Sequence, residues 1–203
     1  SRARPLPSPS MNAWSGGAEG WTGVVLAGGR SSRMGRDKAL IEIDGRTLLD
    51  RALDKLEPHV QELLVIGDPQ KYGHVGPFVF ADDIPGVGPL GGILTAMRYA
   101  SNDRLLVLAC DMPNVTPQLF QRLKEGLARE GTAFVPACDG QPEPLAAAYH
   151  RRCRSTFEAR VAQGAWKVSD ALEQVRATFV QICPGEDGWP VDLFRNINAP
   201  GDL

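Results

Sequence analysis

Short, almost wholly apolar runs alternate along this chain with segments whose apolar residues recur at helical spacing. Apolar runs that lack a polar residue at every second position are typical of strands buried on both faces. Because helices must then cover both faces, the alternation predicts a three-layer α/β fold with a mainly parallel sheet. The predicted strands are Thr22–Ala27, Leu63–Ile66, Phe78–Phe80, Leu105–Ala109, Ala133–Val135, Leu145–Tyr149 and Phe179–Cys183.

Residues that favour the start of a helix precede or open two of the helical segments. Thr47, with Asp50 three residues later, is a suitable N-cap for a helix whose apolar stripe runs from Leu48 to Leu56, and Pro117 suits the first turn of another helix. In such a sheet, ligands bind beyond the carboxyl ends of the strands, so the residues after each strand are the candidate site. Further helices are predicted around Ile93–Ala100, Cys153–Val161 and from Ser169.

Composition limits the classes of partner. The chain has 22 Lys and Arg against 24 Asp and Glu, which argues against a surface that coats nucleic acid. It has neither an apolar stretch of membrane-spanning length nor the apolar core of a secretory signal, so we expect no membrane partner and a cytoplasmic location. Residues 1–20, with three Pro, three Gly and four Ser, are expected to form a flexible leader before a single domain at residues 21–203.

The cysteines show no C-x-x-C pair. That spacing argues against both a structural zinc site and a disulfide framework, so we expect four buried free thiols in a reducing cytoplasm. The four are Cys110, Cys138, Cys153 and Cys183.

The densest positive charge lies in the loop at Leu26–Leu40, after the first predicted strand. Gly28 and Gly29 let the backbone approach a ligand closely, and successive amides there can form a nest for phosphate oxygens. One acid, Asp37, lies among four cations, which gives the loop a local charge of +3 and indicates a polyanionic ligand, although a solvated basic loop is the alternative. The spacing fits neither a Walker A loop nor a dinucleotide fingerprint. The cations are Arg30, Arg33, Arg36 and Lys38.

The sequence of this loop, LAGGRSSRMGRDKAL, resembles the opening motif of the molybdenum cofactor guanylyltransferases, which join GTP to molybdopterin. The resemblance implies a Rossmann-like nucleotidyltransferase fold and a nucleotidyltransferase activity. It implies that Lys38 and Arg33 act on the phosphates. Relatives that use CTP tend to read L-A-A-G, so Gly28 favours GTP. The nucleotide-binding residues that the resemblance implies in this loop are Leu26, Ala27, Gly28, Gly29 and Lys38.

A second loop rich in Gly and Pro, Asp82–Gly92, follows the third predicted strand. The helix that starts there offers free amides and a partial positive charge, although the loop could be a plain strand-to-helix turn. It resembles the family's D-x-x-P-x-x-G-P-L segment, which implies that Asp82, or else Asp83, helps to hold the guanosine. The backbone implied to contact the nucleotide belongs to Gly88, Pro89 and Leu90.

Asp111 closes an apolar strand in the sequence CDMP. A lone carboxylate there costs free energy unless it finds a cation or hydrogen-bond donors. Mg²⁺ prefers one or two carboxylates together with phosphates and water, so Asp111 is the candidate metal ligand, with a helix cap or a salt bridge as the alternative. The family's C-D-x-P motif likewise implies a catalytic magnesium site at Asp111.

The resemblance is looser elsewhere. Gln141–His150 resembles the segment that faces the second substrate, with Tyr149 and His150 near the end of a strand. Phe194–Pro200 resembles the family's N-I-N-T-P, with Ala199 in place of Thr. Where the family tends to place an Asn after the second strand, this chain has Gly67-Asp68.

The expected reaction is attack of the terminal phosphate of molybdopterin on the α-phosphorus of GTP, with release of pyrophosphate. That phosphate is already ionised at neutral pH, so the reaction requires no strong general base, and the sequence offers no persuasive Ser-His-Asp arrangement. The alternatives are a CTP-dependent molybdopterin cytidylyltransferase, another sugar- or polyol-phosphate nucleotidyltransferase, and a non-catalytic nucleotide sensor. The expected partners are GTP, molybdopterin and, transiently, other proteins of cofactor biosynthesis.

Overall fold

The computed structural model describes residues 20–28, 37–76 and 78–198. The strands in these residues are β1 (Trp21–Leu26), β2 (Glu42–Ile43), β3 (Arg46–Thr47), β4 (Glu62–Ile66), β5 (Phe78–Phe80), β6 (Arg104–Ala109), β7 (Ala133–Cys138), β8 (Gln141–Pro142), β9 (Ala146–His150) and β10 (Thr178–Gln181). The α-helices are α1 (Leu48–Leu56), α2 (Pro69–Tyr72), α3 (Pro89–Tyr99), α4 (Pro117–Glu130), α5 (Arg154–Ala162) and α6 (Val168–Gln174). The leader expected at residues 1–20 lies outside the described residues, apart from Gly20.

One mixed sheet carries the core, with the strand order β10-β7-β9-β6-β1-β4-β5 and β8 paired to β7. β1 pairs in parallel with both β4 and β6, whereas β9 runs antiparallel to β6 and β7. Alternate residues of β1 enter two apolar clusters: Val25 packs with α1 and α4, and Val24 with α3, α5 and α6. Helices therefore cover both faces of a mainly parallel sheet, which confirms the predicted fold class.

Local signals in the sequence produce the predicted elements. Every residue of β1 is buried, as expected for a strand covered on both faces. The Thr47 hydroxyl caps α1 by accepting a hydrogen bond from the Asp50 amide at 3.0 Å. Pro117 occupies the first turn of α4, where its missing N–H costs no helical hydrogen bond. None of the described helices is long and apolar enough to cross a membrane.

The prediction of four free thiols is wrong. Cys138 and Cys183 form a disulfide, whereas Cys110 and Cys153 are free and buried. The two bonded cysteines are 45 residues apart in the sequence, but β7 and β10 are neighbouring parallel strands whose carboxyl ends lie side by side. Spacing along the chain carries no information about that pairing, because it depends on the strand order.

Candidate active site at the carboxyl edge of the sheet

The candidate site lies where β1, β4 and β6 end. The backbone ladder continues one step past these strands: the Ala27 amide donates to the Ile66 carbonyl at 2.9 Å, and the Cys110 amide to the Leu26 carbonyl at 3.2 Å. The parallel register therefore brings the first residues of the glycine-rich loop beside Asp111, which directly follows Cys110.

Lys38, Asp111 and Asn198 meet at this edge. The Lys38 Nζ lies 3.5 Å from an Asp111 carboxylate oxygen, and it donates a hydrogen bond to the Asn198 Oδ1. The Ile197 amide donates to the Asp111 carbonyl at 2.8 Å, which holds the C-terminal segment across the end of β6. The weak sequence signal at Asn198 thus marks a residue of the candidate site, while Ala199 lies outside the described residues.

Asp111 is neither buried nor a helix cap. Its side chain is 22% exposed, and α4 begins six residues later with Thr116 as its N-cap. Among the described residues, Lys38 is the only cation within 4 Å of its carboxylate. Burial raises the pKa of the neighbouring Cys110 thiol to about 12, so this thiol is neutral and offers no second anion. The salt bridge that was the alternative to a metal role for Asp111 is therefore present, and it is made with Lys38, another residue of the candidate site.

Asp37 is held from several sides. Its carboxylate accepts hydrogen bonds from the Tyr72 hydroxyl at 2.7 and 2.6 Å and from the Ala39 amide at 3.2 Å. Lys71 adds an exposed ion pair at 3.3 Å. Tyr72 is a residue of the site that the sequence analysis did not identify. Its one sequence signal is an aromatic residue in the polar segment that follows the buried strand β4. Arg33 and Gly29 lie outside the described residues.

Asp82 and Asp83 face different surroundings. The Asp82 carboxylate accepts from the Ile84 amide at 2.8 Å and from the Thr95 hydroxyl at 3.2 Å, and a Cβ built on Gly91 would lie 3.2 Å from both of its oxygens. Asp83 instead pairs with Arg98 at 3.0 Å. Asp82 is therefore the acid that faces the first turns of α3, whereas Asp83 pairs with the last turn of that helix.

The start of α3 rests on the sheet. Gly88 is the N-cap of this helix with a φ of 84°, a conformation that residues with a side chain rarely adopt. Leu90 is fully buried and Pro89 is exposed, so the side chain of Leu90 cannot contact a ligand. A Cβ on Gly92 would lie 3.1 Å from Leu26, which places the amino end of α3 over the end of β1.

Leu26 and Ala27 are buried, and the chain reaches the surface at Gly28. A Cβ built on Gly28 would have its nearest heavy atom at 3.9 Å, which is an ordinary contact. Among the described residues, packing therefore does not require glycine at this position.

The family of the chain follows from comparison with known proteins. The model of the MobA-like NTP transferase domain matches residues 23–176, which is most of the chain. The chain belongs to this family of nucleotidyltransferases.

The relatives of the chain carry consistent names. A probable molybdenum cofactor guanylyltransferase of Methanothermobacter thermautotrophicus is 36% identical over 193 residues, covering 89% of this chain and 95% of the relative. One of Bacillus cereus is 36% identical over 186 residues, covering 88% and 92%. The crystal structure of molybdopterin-guanine dinucleotide biosynthesis protein A from Archaeoglobus fulgidus superposes with a TM-score of 0.75 at 29% identity, covering 89% of this chain and 94% of that one.

The segment Gln141–His150, which resembles the family's second-substrate segment, ends away from the candidate site. β9 is antiparallel to β6, so Tyr149 and His150 pair with Leu105 and Arg104 at the opposite edge of the sheet. Burial, followed by Arg152, lowers the pKa of His150. His150 lies beside the start of β6, whereas Asp111 follows the end of that strand, so the two residues lie at opposite edges of the sheet.

The other end of that segment does reach the candidate site. The Ala109 amide donates to the Leu145 carbonyl at 2.8 Å, which places the start of β9 beside the end of β6. Glu143 lies two residues earlier, and burial raises the pKa of its carboxyl group. The residues of this segment that can face a ligand at the site edge are thus those before β9.

The departure from the family at Gly67-Asp68 has a structural reason. A Cβ on Gly67 would lie 2.6 Å from the Tyr72 ring, so no side chain fits there. Asp68 caps α2 by accepting from the Gln70 amide at 2.9 Å and is exposed. No side chain at position 67 therefore takes the place of the family's Asn.

Proposed function

We propose that this enzyme transfers GMP from GTP to the terminal phosphate of molybdopterin, giving the guanine dinucleotide form of the cofactor and pyrophosphate. The observation that carries the proposal is the approach of Lys38 to Asp111, at 3.5 Å, on the carboxyl edge of the sheet of a MobA-like NTP transferase. The names of the relatives favour GTP over the CTP alternative.

Catalysis in this reaction is mainly a matter of position and charge. An oxygen of the molybdopterin phosphate forms a bond to the α-phosphorus, the bond from the α-phosphorus to the bridging oxygen breaks, and pyrophosphate leaves. Lys38 would hold the triphosphate through its ammonium group, and Arg33 would add a second cation. Because the attacking phosphate is ionised at neutral pH, no residue has to remove a proton.

The residues at the edge fit a divalent cation. Asp111 offers a partly exposed carboxylate that would hold the ion, and the neighbouring Lys38 ammonium would hold phosphate oxygens beside it. Bound there, Mg²⁺ would neutralise charge on the α-phosphate and on the leaving oxygens. Before the substrate binds, Lys38 and Asp111 compensate each other's charge.

The nucleoside would lie between Gly28 and the amino end of α3. A Cβ on Gly28 would meet only ordinary contacts in the part of the chain that the structure describes, so its lack of a side chain would be available to the ligand. Asp82 lies against the first turns of α3, and the backbone at Gly88 and Pro89 is exposed beside it. Rigid backbone groups of this kind can match the donor and acceptor edge of guanine.

Other aspects of the proposal concern the whole chain. β1 and β10, near the two ends of the described residues, lie in one sheet, which supports a single domain from residue 21 onward. A cytoplasmic location and transient contacts with other proteins of cofactor biosynthesis remain predictions of the family resemblance. Cytosolic proteins rarely retain disulfides, so a Cys138–Cys183 bond that stays oxidised in the cell would argue against the cytoplasmic location.

The proposed function is tested by incubating the protein with GTP, molybdopterin and Mg²⁺ and identifying the product by mass spectrometry. We expect the guanine dinucleotide and one pyrophosphate for each product molecule. Pyrophosphate release that does not depend on molybdopterin, or transfer to a sugar phosphate instead, would contradict the proposal.

A further inference from the structure

One phenol oxygen contacts both described ends of the glycine-rich basic loop. The Tyr72 hydroxyl lies 3.3 Å from the carbonyl of Ala27, near the start of the loop, and 2.7 and 2.6 Å from the two carboxylate oxygens of Asp37, near its end. The Tyr72 side chain is only 3% exposed, and its ring packs so closely on Gly67 that a Cβ there would clash. The hydroxyl is therefore fixed in place by the buried ring.

The hydroxyl acts as a donor. Burial and the hydrogen bond to Asp37 both raise the pKa of Tyr72 well above its usual value, so the phenol keeps its proton at any physiological pH. One proton can serve one strong acceptor at a time, and the nearer Asp37 carboxylate is that acceptor. The contact with the Ala27 carbonyl is longer and secondary.

Asp37 passes this restraint on to Lys38. The Asp37 carboxylate is the N-cap of the 3₁₀ helix Lys38–Leu40, because it accepts from the Ala39 amide at 3.2 Å. The conformation of Asp37 therefore sets the direction in which the Lys38 side chain leaves the backbone, which is toward Asp111. The other partner of Asp37, Lys71, is exposed and is expected to contribute little.

We propose that Tyr72 is a positioning residue for nucleotidyl transfer: its hydroxyl holds the Asp37 carboxylate and thereby aims Lys38 at the triphosphate. The inference rests on the proposed function, because it gives Lys38 its role in that reaction. Tyr72 itself contacts no substrate in this scheme and acts through Asp37.

The test is a double-mutant cycle between Tyr72→Phe and Lys38→Ala, measured as kcat and KM for GTP. Removing a hydrogen bond to a charged group should lower kcat/KM by about tenfold or more in the Tyr72→Phe variant. If Tyr72 acts through Lys38, the same substitution has little further effect once Lys38 is alanine, whereas a merely structural role predicts that the two losses add.

Tyr149→Phe is the matched control. Tyr149 is also a buried tyrosine, and its hydroxyl donates to the Pro144 carbonyl at 2.7 Å without contacting the Lys38 segment. Both variants should lower the melting temperature by similar small amounts, but only Tyr72→Phe should weaken the binding of GTP. Additive losses in the cycle, or an equal loss of GTP affinity in Tyr149→Phe, would overturn the proposal.

A second readout keeps this proposal separate from the proposed function. The same cycle is measured on the Kd for GTP and Mg²⁺ by calorimetry, with no molybdopterin present. A wild type that binds GTP but yields no product with molybdopterin contradicts the proposed function, and the cycle on Kd then decides the role of Tyr72 by the same criterion of additivity.

Discussion

Removal of the Lys38 charge separates its structural role from its catalytic one. The Lys38 side chain is 25% exposed, and its ion pair with Asp111 spans 3.5 Å. A partly exposed pair of this kind contributes about 0–1 kcal/mol, so Lys38→Ala should leave the melting temperature near that of the wild type. A charge-assisted contact with a phosphate contributes about 1.5–3 kcal/mol, which corresponds to a rate loss of roughly tenfold to a hundredfold.

The assay is pyrophosphate release at saturating GTP and molybdopterin, with Lys71→Ala as the control. Lys71 is also a lysine paired to an aspartate, at 3.3 Å from Asp37, but it is more exposed and makes no contact with Asp111. We expect Lys71→Ala to retain most of the activity. Unchanged release in Lys38→Ala, or an equal loss in both variants, would refute the argument that Lys38 holds the triphosphate.

Three further outcomes are expected. Asp111→Asn keeps the shape but removes the charge, so the Mg²⁺ concentration for half-maximal pyrophosphate release should rise; an unmoved midpoint would make Asp111 structural. Gly28→Ala should melt like the wild type, because its Cβ meets only ordinary contacts among the described residues, yet should lower the kcat/KM ratio of GTP to CTP by about tenfold; an unchanged ratio would show that Gly28 does not recognise the base. The disulfide closes a loop of 45 residues, which stabilises the folded protein by roughly 4 kcal/mol through the lower chain entropy of the unfolded state. Dithiothreitol should therefore lower the melting temperature of the wild type but not that of a Cys138→Ser, Cys183→Ser double variant. Equal responses would exclude the disulfide in solution.

The parts of the site that could be predicted from sequence depend on local signals. An apolar run that ends in a glycine or an aspartate predicts both a buried strand and the edge of the sheet where that strand stops. These signals predict that Lys38 and Asp111 lie at the same edge, where the structure has them 3.5 Å apart. The N-cap at Thr47 and the proline at the start of α4 are likewise set by residues within one turn.

The parts that could not be predicted depend on strand order and direction. His150 ends a strand, as expected, but the reversal of β9 puts that end at the far edge of the sheet. The disulfide joins cysteines whose strands become neighbours only after folding. Tyr72 acts through Asp37, which lies 35 residues away in the sequence. A tyrosine in a polar segment carries no local signal that predicts this hydrogen-bond partner.

The choice of nucleobase tests the central claim most directly. The measurement is kcat/KM for GTP, CTP and ATP with molybdopterin and Mg²⁺, each determined on the full chain. A site that pairs with guanine leaves its own groups unpaired with another base, at about 1–3 kcal/mol for each group, so GTP should be preferred by at least about tenfold. A preference for CTP would identify a cytidylyltransferase and overturn the reading of Gly28, and equal values for all three would show that the site recognises only the phosphates.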